Sequence, residues 1–248
     1  MSRPSPRPGA PPATPGPIDR LVIATGNRGK LREFAELLSP LGLVCLDLAA
    51  AAEALHRPQP AEPAETGSSF LENACLKAVH YATSLGLWTL ADDSGLVVDA
   101  LGGEPGVDSA YFAAKYGHGS PTDDRASRDA ANNRLLLERL RDVPPERRAA
   151  RFVCAIALAT PEGQVVATTT GEVAGRILDA PRGGGGFGYD PLFEVEGLGR
   201  TSAELLPAEK HRISHRGMAS RRMVALLAEL KALPPSKHPP VDTSGDRS

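Results

Sequence analysis

"RFVCAIALAT" (151–160), "PEG" (161–163) and "QVVATTTGEV" (164–173) together indicate a β-hairpin at the centre of the fold. The first segment is apolar on both faces, which is typical of a strand buried inside a sheet. The Pro-Glu-Gly turn returns the chain to a second β-rich segment, so the two strands are expected to pair antiparallel.

Strands and helices alternate along the chain before this hairpin. "LVIAT" (21–25) is a short buried strand, and a glycine-containing turn leads from it into the helix "KLREFAELL" (30–38). "LWTLA" (87–91) and "LVVDAL" (96–101) are predicted strands, interrupted by "DDSG" (92–95). Alternation followed by a hairpin predicts an α/β fold with a mixed sheet.

Three further segments have the apolar spacing of helices. The helix within residues 68–86 begins with a capping box, Ser69 and Glu72, and ends at Gly86. The other two predicted helices are 123–141 and 218–233.

The ends of the chain differ in composition from the region between them. Residues 1–17 and 234–248 are rich in proline, and such segments bury too little apolar surface to form a core. We therefore predict two disordered termini around a single folded domain, residues 18–233.

Charge and cysteine content exclude several classes of protein. The net charge of −2 gives no global field that would attract nucleic acid or a membrane, so neither is an expected partner. Cys45, Cys75 and Cys154 match no zinc spacing and lie in apolar stretches, which indicates free thiols in a reducing compartment. The N-terminus lacks the apolar core of a secretory signal, so we predict a cytoplasmic protein.

"GGGGFGYDPLF" (183–193) places three aromatic rings beside four glycines, in a chain with only 4% aromatic residues. Either this loop closes a core or a flat ligand lies against it. We expect Phe187 to offer its face to such a ligand, whereas the sequence does not assign Tyr189 and Phe193 to one role or the other.

"TGNRGK" (25–30) joins the first strand to the first helix. A glycine turn at a helix N-terminus exposes backbone N–H groups to an anion, and Lys30 adds a positive charge. The spacing departs from the P-loop pattern, so a phosphate site and a plain connecting turn both fit.

Carboxylates occur in two short motifs. In "ADDSG" (91–95), neighbouring residues of an extended chain point to opposite sides, so Asp92 and Asp93 cannot face one site in the same manner. One of them can bind a cation or accept a proton, although a tight turn also explains the motif. Glu65, in "ETG" (65–67), is either a metal ligand or a solvated acid beside a helix cap.

"EKHRISHRG" (209–217) concentrates five basic side chains before the last helix. Cations at a helix N-terminus oppose the helix dipole, and an anionic ligand would offset that cost. A basic surface loop is the alternative. Acids for a divalent metal, lysines for phosphates and rings for a base together make up the inventory of a metal-assisted nucleotide site.

Five motifs, in this order, resemble the Ham1-type inosine/xanthosine triphosphate pyrophosphatases. They are "ATGNRGKLREF", "ETGSSFLENACLKA", "ADDSGLVVDALGGEPGV", "GGFGYDPLF" and "EKHRISHRG". The resemblance covers residues 21–230 and implies an elongated mixed sheet with flanking helices, in two lobes around a central cleft. It also implies a homodimer and Mg²⁺-dependent hydrolysis of ITP, dITP and XTP to the monophosphate and pyrophosphate.

The resemblance assigns roles to individual residues. For the triphosphate it implies Thr25, Gly26, Asn27, Arg28, Gly29, Lys30 and Lys77. For the metal it implies Glu65 and Asp93, and Asp93 also matches the proton acceptor, with Asp92 as the alternative. Ser94 matches a substrate contact. For the base it implies Phe187, Gly188, Tyr189, Asp190, Lys210, His215 and Arg216.

The chain departs from the family pattern after "PGV". The family continues with "SAR", whereas "DSAYFAAKYG" (108–117) has Asp108 and Tyr111 here, and we expect the rings of Tyr111, Phe112 and Tyr116 to serve packing. Two other functions remain open: a septum-protein-like pyrophosphatase with a different base preference, and a nucleotide-binding regulator without turnover. The regulator could dispense with the acids, which this chain retains.

Overall fold

A six-stranded mixed sheet organises the described part of the chain. The computed structural model describes residues 18–25 and 28–232, so the predicted disordered segments lie outside the described residues. The strand order is β2-β1-β3-β4-β5-β6. The strands are β1 (Arg20–Ala24), β2 (Val44–Leu46), β3 (Thr89–Val98), β4 (Ala149–Ala159), β5 (Val165–Ile177) and β6 (Phe193–Val195).

The direction of pairing changes at β3. β1 is parallel to both β2 and β3, whereas β3, β4, β5 and β6 form successive antiparallel pairs. The predicted hairpin is confirmed as β4 and β5, and the N–H of Gly163 donates to the carbonyl of Thr160 at 2.8 Å in its turn. The α/β class with a mixed sheet is therefore confirmed.

Seven helices flank this sheet in the described residues. They are α1 (Arg28–Leu38), α2 (Leu48–Ala54), α3 (Phe70–Leu85), α4 (Phe112–Lys115), α5 (Arg125–Arg139), α6 (Pro207–Ile213) and α7 (His215–Ala232). None of the described helices is both long enough and apolar enough to cross a membrane.

The predicted ends of α3 are confirmed in outline. The hydroxyl oxygen of Ser69 accepts a hydrogen bond from the N–H of Glu72, and Gly86 ends the helix with a φ of 66°. The Glu72 carboxylate accepts from the N–H of Ser68 at 2.7 Å, one residue before the position that the capping box predicts. Its pKa is lowered chiefly by hydrogen bonds from Ser68.

The predicted interruption at "DDSG" is wrong, because β3 continues unbroken through it. Asp92, Asp93 and Ser94 lie opposite Ile156, Ala155 and Cys154 of β4, so the ladder satisfies their backbone groups. Asp and Gly have low intrinsic strand propensity, but pairing with a buried neighbouring strand overrides that local preference.

The apolar core divides into two parts along β3. In the first part, α1 and α7 pack on one face of the sheet and α2 and α3 pack on the other. In the second part, Leu96 and Val98 pack with α5 and β6. Residues 92–94 lie between these two parts, as the two-lobe prediction requires.

The aromatic cluster that follows "PGV" is only partly a packing cluster. Phe112 is fully buried, as expected, whereas Tyr111 and Tyr116 are exposed. The expected packing role is confirmed for Tyr116, whose ring meets the Phe112 ring edge-on with centroids 5.6 Å apart, but not for Tyr111. The Tyr116 hydroxyl also donates to Glu104 at 2.6 Å, and Asp108 pairs with Lys115 at 2.7 Å.

Candidate functional site

Alternation along β3 separates the polar side chains of "ADDSG" onto two faces of the sheet. Asp93 points toward α3, where it meets Lys77, and Asp92 and Ser94 point toward α7, where both meet Arg216. The prediction that Asp92 and Asp93 face different surroundings is confirmed.

An ammonium group joins the two predicted metal ligands. Lys77 Nζ donates to Asp93 Oδ1 at 2.9 Å and to Glu65 Oε1 at 2.7 Å. The side chains of Lys77 and Asp93 are each only 11% exposed, whereas Glu65 is 36% exposed. The cluster therefore has a buried inner part and an accessible outer carboxylate, which leaves room for a ligand to approach from the Glu65 side.

Burial sets the electrostatics of this cluster. Burial raises the pKa of the Asp93 carboxyl above its usual value, although the Lys77 ammonium partly opposes the change. Burial by itself would lower the pKa of Lys77, but the Asp93 and Glu65 carboxylates outweigh it and the pKa is raised. The lysine is therefore charged at neutral pH, and Asp93 binds a proton more readily than an exposed aspartate does.

On the opposite face of β3, Arg216 bridges two predicted residues. Its guanidinium donates to Ser94 Oγ at 2.9 Å and lies 3.4 Å from Asp92 Oδ2. The ring of His215 stacks on Phe152, with centroids 5.0 Å apart and an interplanar angle of 17°. Both basic residues occupy the first turn of α7, where an anion would be favoured by the helix dipole.

The expectation that all five basic residues oppose the helix dipole is wrong for three of them. Lys210, His211 and Arg212 lie in the last turn of α6, where the dipole favours positive charge. The separate short helix explains the difference, since the sequence pattern predicted only one helix here. Burial lowers the pKa of His211, so this imidazole is neutral more readily than usual.

The strand-to-helix junction lies beside the same edge of β3. Ala24 pairs with Ala91, so the half-buried Thr25 follows directly at the end of β1 where the polar part of β3 begins. Gly26 and Asn27 lie outside the described residues, as do the side chains of Arg28, Gly29 and Lys30. Their predicted triphosphate contacts stay predictions.

The glycines of the 183–193 loop are required by close contacts with protein atoms. A Cβ on Gly183 or Gly185 would lie 2.8 or 2.9 Å from backbone atoms of Ala203. A Cβ on Gly186 would overlap a carboxylate oxygen of Asp190. Three of the four glycines therefore let this loop pack against its own fold, whereas a Cβ on Gly184 would meet no atom within 4 Å.

The three rings of the loop have different surroundings. Tyr189 and Phe193 are buried in the second part of the core, and the Tyr189 hydroxyl donates to the carbonyl of Ser109 at 2.9 Å. Burial raises the pKa of Tyr189. Phe187 is 44% exposed. Packing thus explains Tyr189 and Phe193, and Phe187 alone offers an accessible ring.

A partly buried ion pair lies next to that ring. Asp190 Oδ2 accepts from Lys210 Nζ and also from the N–H of Phe187, the latter at 2.7 Å. Lys210 Nζ is 5.3 Å from the centroid of the Phe187 ring. The predicted base residues Phe187, Asp190 and Lys210 are therefore brought together around one exposed aromatic face.

The sequence analysis missed buried polar residues that hold the predicted site residues in place. The buried side chain of Asn73 accepts from the N–H of Gly67 at 2.8 Å and donates to Asp93 at 3.4 Å. Its position four residues before Lys77, on the buried face of α3, was a signal, because a buried polar residue needs a partner. Ser109 Oγ similarly accepts from the N–H of Leu96 at 2.9 Å.

These features define the class of protein: the chain belongs to the Ham1 family, whose family model matches residues 21–226. A dITP/XTP pyrophosphatase of Frankia alni is 50% identical over 211 residues, which cover 85% of this chain and 98% of the relative. A dITP/XTP pyrophosphatase of Thermus thermophilus is 50% identical over 218 residues, covering 88% and 95%. The structure of a HAM1 protein from Coxiella burnetii superposes with a TM-score of 0.74 at 38% identity, covering 85% and 98%.

Proposed function

We propose that this protein hydrolyses the purine nucleoside triphosphates ITP, dITP and XTP to the monophosphate and pyrophosphate. The observation that carries the proposal is the Glu65–Lys77–Asp93 cluster, in which two carboxylates share one buried ammonium. Membership of the Ham1 family, and relatives with 50% identity that are named dITP/XTP pyrophosphatases, support this substrate class.

The donor set fits a magnesium ion that substrate helps to hold. Mg²⁺ is usually bound by one or two carboxylates, with phosphate oxygens and water completing its shell. No group of three or more His, Cys, Asp or Glu side chains that could hold a metal occurs in residues 18–25 and 28–232. Glu65 and Asp93 would therefore hold the ion jointly with the triphosphate, and when bound the ion would neutralise phosphate charge.

Protein residues supply the remaining parts of the mechanism. The ammonium group of Lys77, which lies between the two acids, places a fixed positive charge beside the phosphate chain of the substrate. Asp93 orients a water molecule toward the α-phosphorus and accepts its proton as pyrophosphate leaves. Positioning and charge stabilisation supply most of the acceleration, because little covalent chemistry falls to the protein in phosphoryl transfer.

The geometry favours Asp93 over Asp92 as the proton acceptor. Asp93 shares Lys77 with Glu65, whereas Asp92 is only 3% exposed and faces Arg216 on the other side of the sheet. Asp92 therefore serves to hold Arg216, whose guanidinium also contacts Ser94.

Selectivity among purine bases follows from the Phe187 ring and from Lys210 beside it. A base stacked on this ring gains about 1–3 kcal/mol, as bases do on aromatic side chains. Lys210 places a hydrogen-bond donor within 5.3 Å of the ring centroid, which suits the 6-keto oxygen of hypoxanthine or xanthine. Adenine carries an amino donor at that position, and the unmatched donors disfavour it. Guanine shares the keto group, so its rejection requires crowding of its 2-amino group.

The test is a substrate panel in ¹⁸O-labelled water with Mg²⁺. Attack at the α-phosphorus leaves the label in the monophosphate and releases pyrophosphate, whereas attack at the γ-phosphorus leaves it in free phosphate. We expect ATP and GTP to be turned over at least roughly tenfold less efficiently than ITP, the scale of one lost buried hydrogen bond. Label in free phosphate would overturn the reaction, and equal efficiency on ATP and ITP would overturn the selectivity.

The assembly and compartment belong to this proposal as well. We expect a homodimer that acts in the cytoplasm. Light scattering coupled to size-exclusion chromatography measures the mass directly, and a monomer at micromolar concentration would contradict the dimer.

A further inference from the structure

Helix α5 presents a row of polar residues to the aromatic loop. Arg125, Asp129 and Asn133 are spaced four residues apart, so they lie on one face of the helix. Each of them contacts either Phe187 or Gly188. None of the three belongs to the motifs that resemble the family.

Two members of the row bind both backbone polar groups of Gly188. Asp129 Oδ2 accepts from its N–H at 2.8 Å, and Asn133 Nδ2 donates to its carbonyl at 2.9 Å. The Asn133 carbonyl oxygen has no hydrogen-bond partner among the described residues, so the orientation of this amide is determined by Gly188.

The remaining backbone groups of the dipeptide are also paired. The Phe187 N–H donates to the Asp190 carboxylate at 2.7 Å, and the Phe187 carbonyl accepts from the Asp190 N–H at 3.2 Å. The backbone of residues 187 and 188 is therefore engaged by protein on every polar group, and the Phe187 ring is the part left to meet a ligand.

Arg125 completes the row by contacting the ring itself. Its guanidinium carbon lies 4.1 Å from the ring centroid of Phe187, within the range of a cation–π contact. Asp129 Oδ2 lies 3.9 Å from Arg125 Nε, so one carboxylate holds both the loop backbone and the cation over the ring. The guanidinium covers one face of the ring.

The loop needs such support because of its glycines. Gly183, Gly186 and Gly188 all have positive φ angles, of 80°, 77° and 60°, and glycine loses more conformational freedom on ordering than other residues do. Fixing the ring before a base arrives removes that cost from the binding step.

We infer that Arg125, Asp129 and Asn133 are positioning residues, which preorganise the Phe187 ring for the base of the substrate. This inference rests on the proposed function, because it assigns the ring to a purine. The three residues contact the loop at Phe187 and Gly188, and we assign them to recognition of the base and not to the reacting atoms.

The first experiment compares the variants Asp129→Ala and Asp129→Asn. The control variant is Arg134→Ala, because Arg134 is an exposed residue on the same helix. Calorimetry measures the binding of two probes: IMP, which carries the base, and inorganic tripolyphosphate, which does not. We expect Asp129→Ala to weaken IMP roughly fivefold, the scale of one hydrogen bond, with tripolyphosphate unchanged. Asp129→Asn should recover most of the loss, since its amide oxygen still accepts from Gly188. Unchanged IMP binding, or equal weakening of both probes, would overturn the inference.

Hydrogen exchange of the ligand-free protein provides a readout that does not depend on activity. The Gly188 amide should exchange faster in Asp129→Ala than in wild type or Arg134→Ala, while amides of β4 stay protected. Unchanged exchange at Gly188 would contradict the support that we assign to Asp129.

Arg125→Ala addresses the ring contact separately. We expect IMP to bind roughly threefold more weakly, the scale of an exposed cation–π contact. Tighter IMP binding would show that the guanidinium occupies the place of the base, and would overturn its positioning role. Failure of wild type to hydrolyse ITP would refute the proposed function itself, and is read in a separate turnover assay.

Discussion

Replacement of Asp93 by asparagine separates the catalytic role of this carboxylate from its effect on stability. The substitution preserves the shape of the side chain and retains an oxygen that can accept from Lys77. It removes the negative charge that the proposed mechanism needs for the metal and for the attacking water. We expect turnover of ITP to fall at least roughly 100-fold, at the low end of what a positioned general base contributes.

One favourable term and two unfavourable terms determine the change in stability. At the 2.9 Å separation of Lys77 and Asp93, Coulomb's law with an effective dielectric constant of 20 gives an attraction of about 6 kcal/mol. Removing a carboxylate from water costs several kcal/mol, and the Glu65 carboxylate adds repulsion. Because the pKa of Asp93 is raised, the unfavourable terms exceed the attraction for the ionised form.

The asparagine variant should therefore be as stable as wild type at pH 7, or more stable by up to about 2 kcal/mol. In a domain of this size, about 1 kcal/mol corresponds to a Tm change of roughly 2–4 °C. A carboxyl whose pKa is higher in the folded state contributes stability that is present below its unfolded pKa and is lost as pH rises through the folded value. The stability advantage of the variant should thus grow from pH 4 to pH 7.

Thermal unfolding across this pH range, in the presence of a chelator, measures the effect without bound metal. A variant that is less stable than wild type by more than about 2 kcal/mol at pH 7 would refute the argument, because the ionised carboxylate would then be net favourable. Asp92→Asn is the matched comparison on the opposite face of β3. If Asp93→Asn retains near-normal turnover and Asp92→Asn loses turnover, the proton acceptor is Asp92 and not Asp93.

The remaining predictions concern the aromatic loop. Phe187→Ala should raise the KM for ITP roughly tenfold or more while changing Tm little, since the ring is 44% exposed; a collapse of Tm with unchanged KM would make it a core residue. Tyr189→Phe should destabilise the fold by about 1 kcal/mol in urea unfolding, because the carbonyl of Ser109 loses one of its two buried donors and keeps only the Asn132 amide; an unchanged free energy would contradict this. Gly186→Ala should cost about 1–3 kcal/mol in the same assay, since φ is 77° and a Cβ would contact Asp190; Gly184→Ala, where a Cβ meets no atom within 4 Å, is the control.

The sequence by itself determined the features that depend on neighbouring residues. The hairpin at 151–173 and the ends of α3 follow from turn and capping chemistry within a few residues. The separation of Asp92 and Asp93 onto two faces follows from the pleat of any extended chain. The order of the five motifs was sufficient to indicate the Ham1 family.

Only the tertiary structure decided the features that depend on distant partners. Asp92 and Arg216 are 124 residues apart in the chain, and Gly188 and Asp129 are 59 apart. The low strand propensity of Asp and Gly favoured a turn at "DDSG". The ladder with β4 and the ion pairs on both faces of the sheet stabilise a continuous strand there. Which ring of the loop is accessible was likewise decided by packing, because the rings of Tyr189 and Phe193 enter a core assembled from segments far apart in sequence, and neither propensity nor spacing encodes that contact.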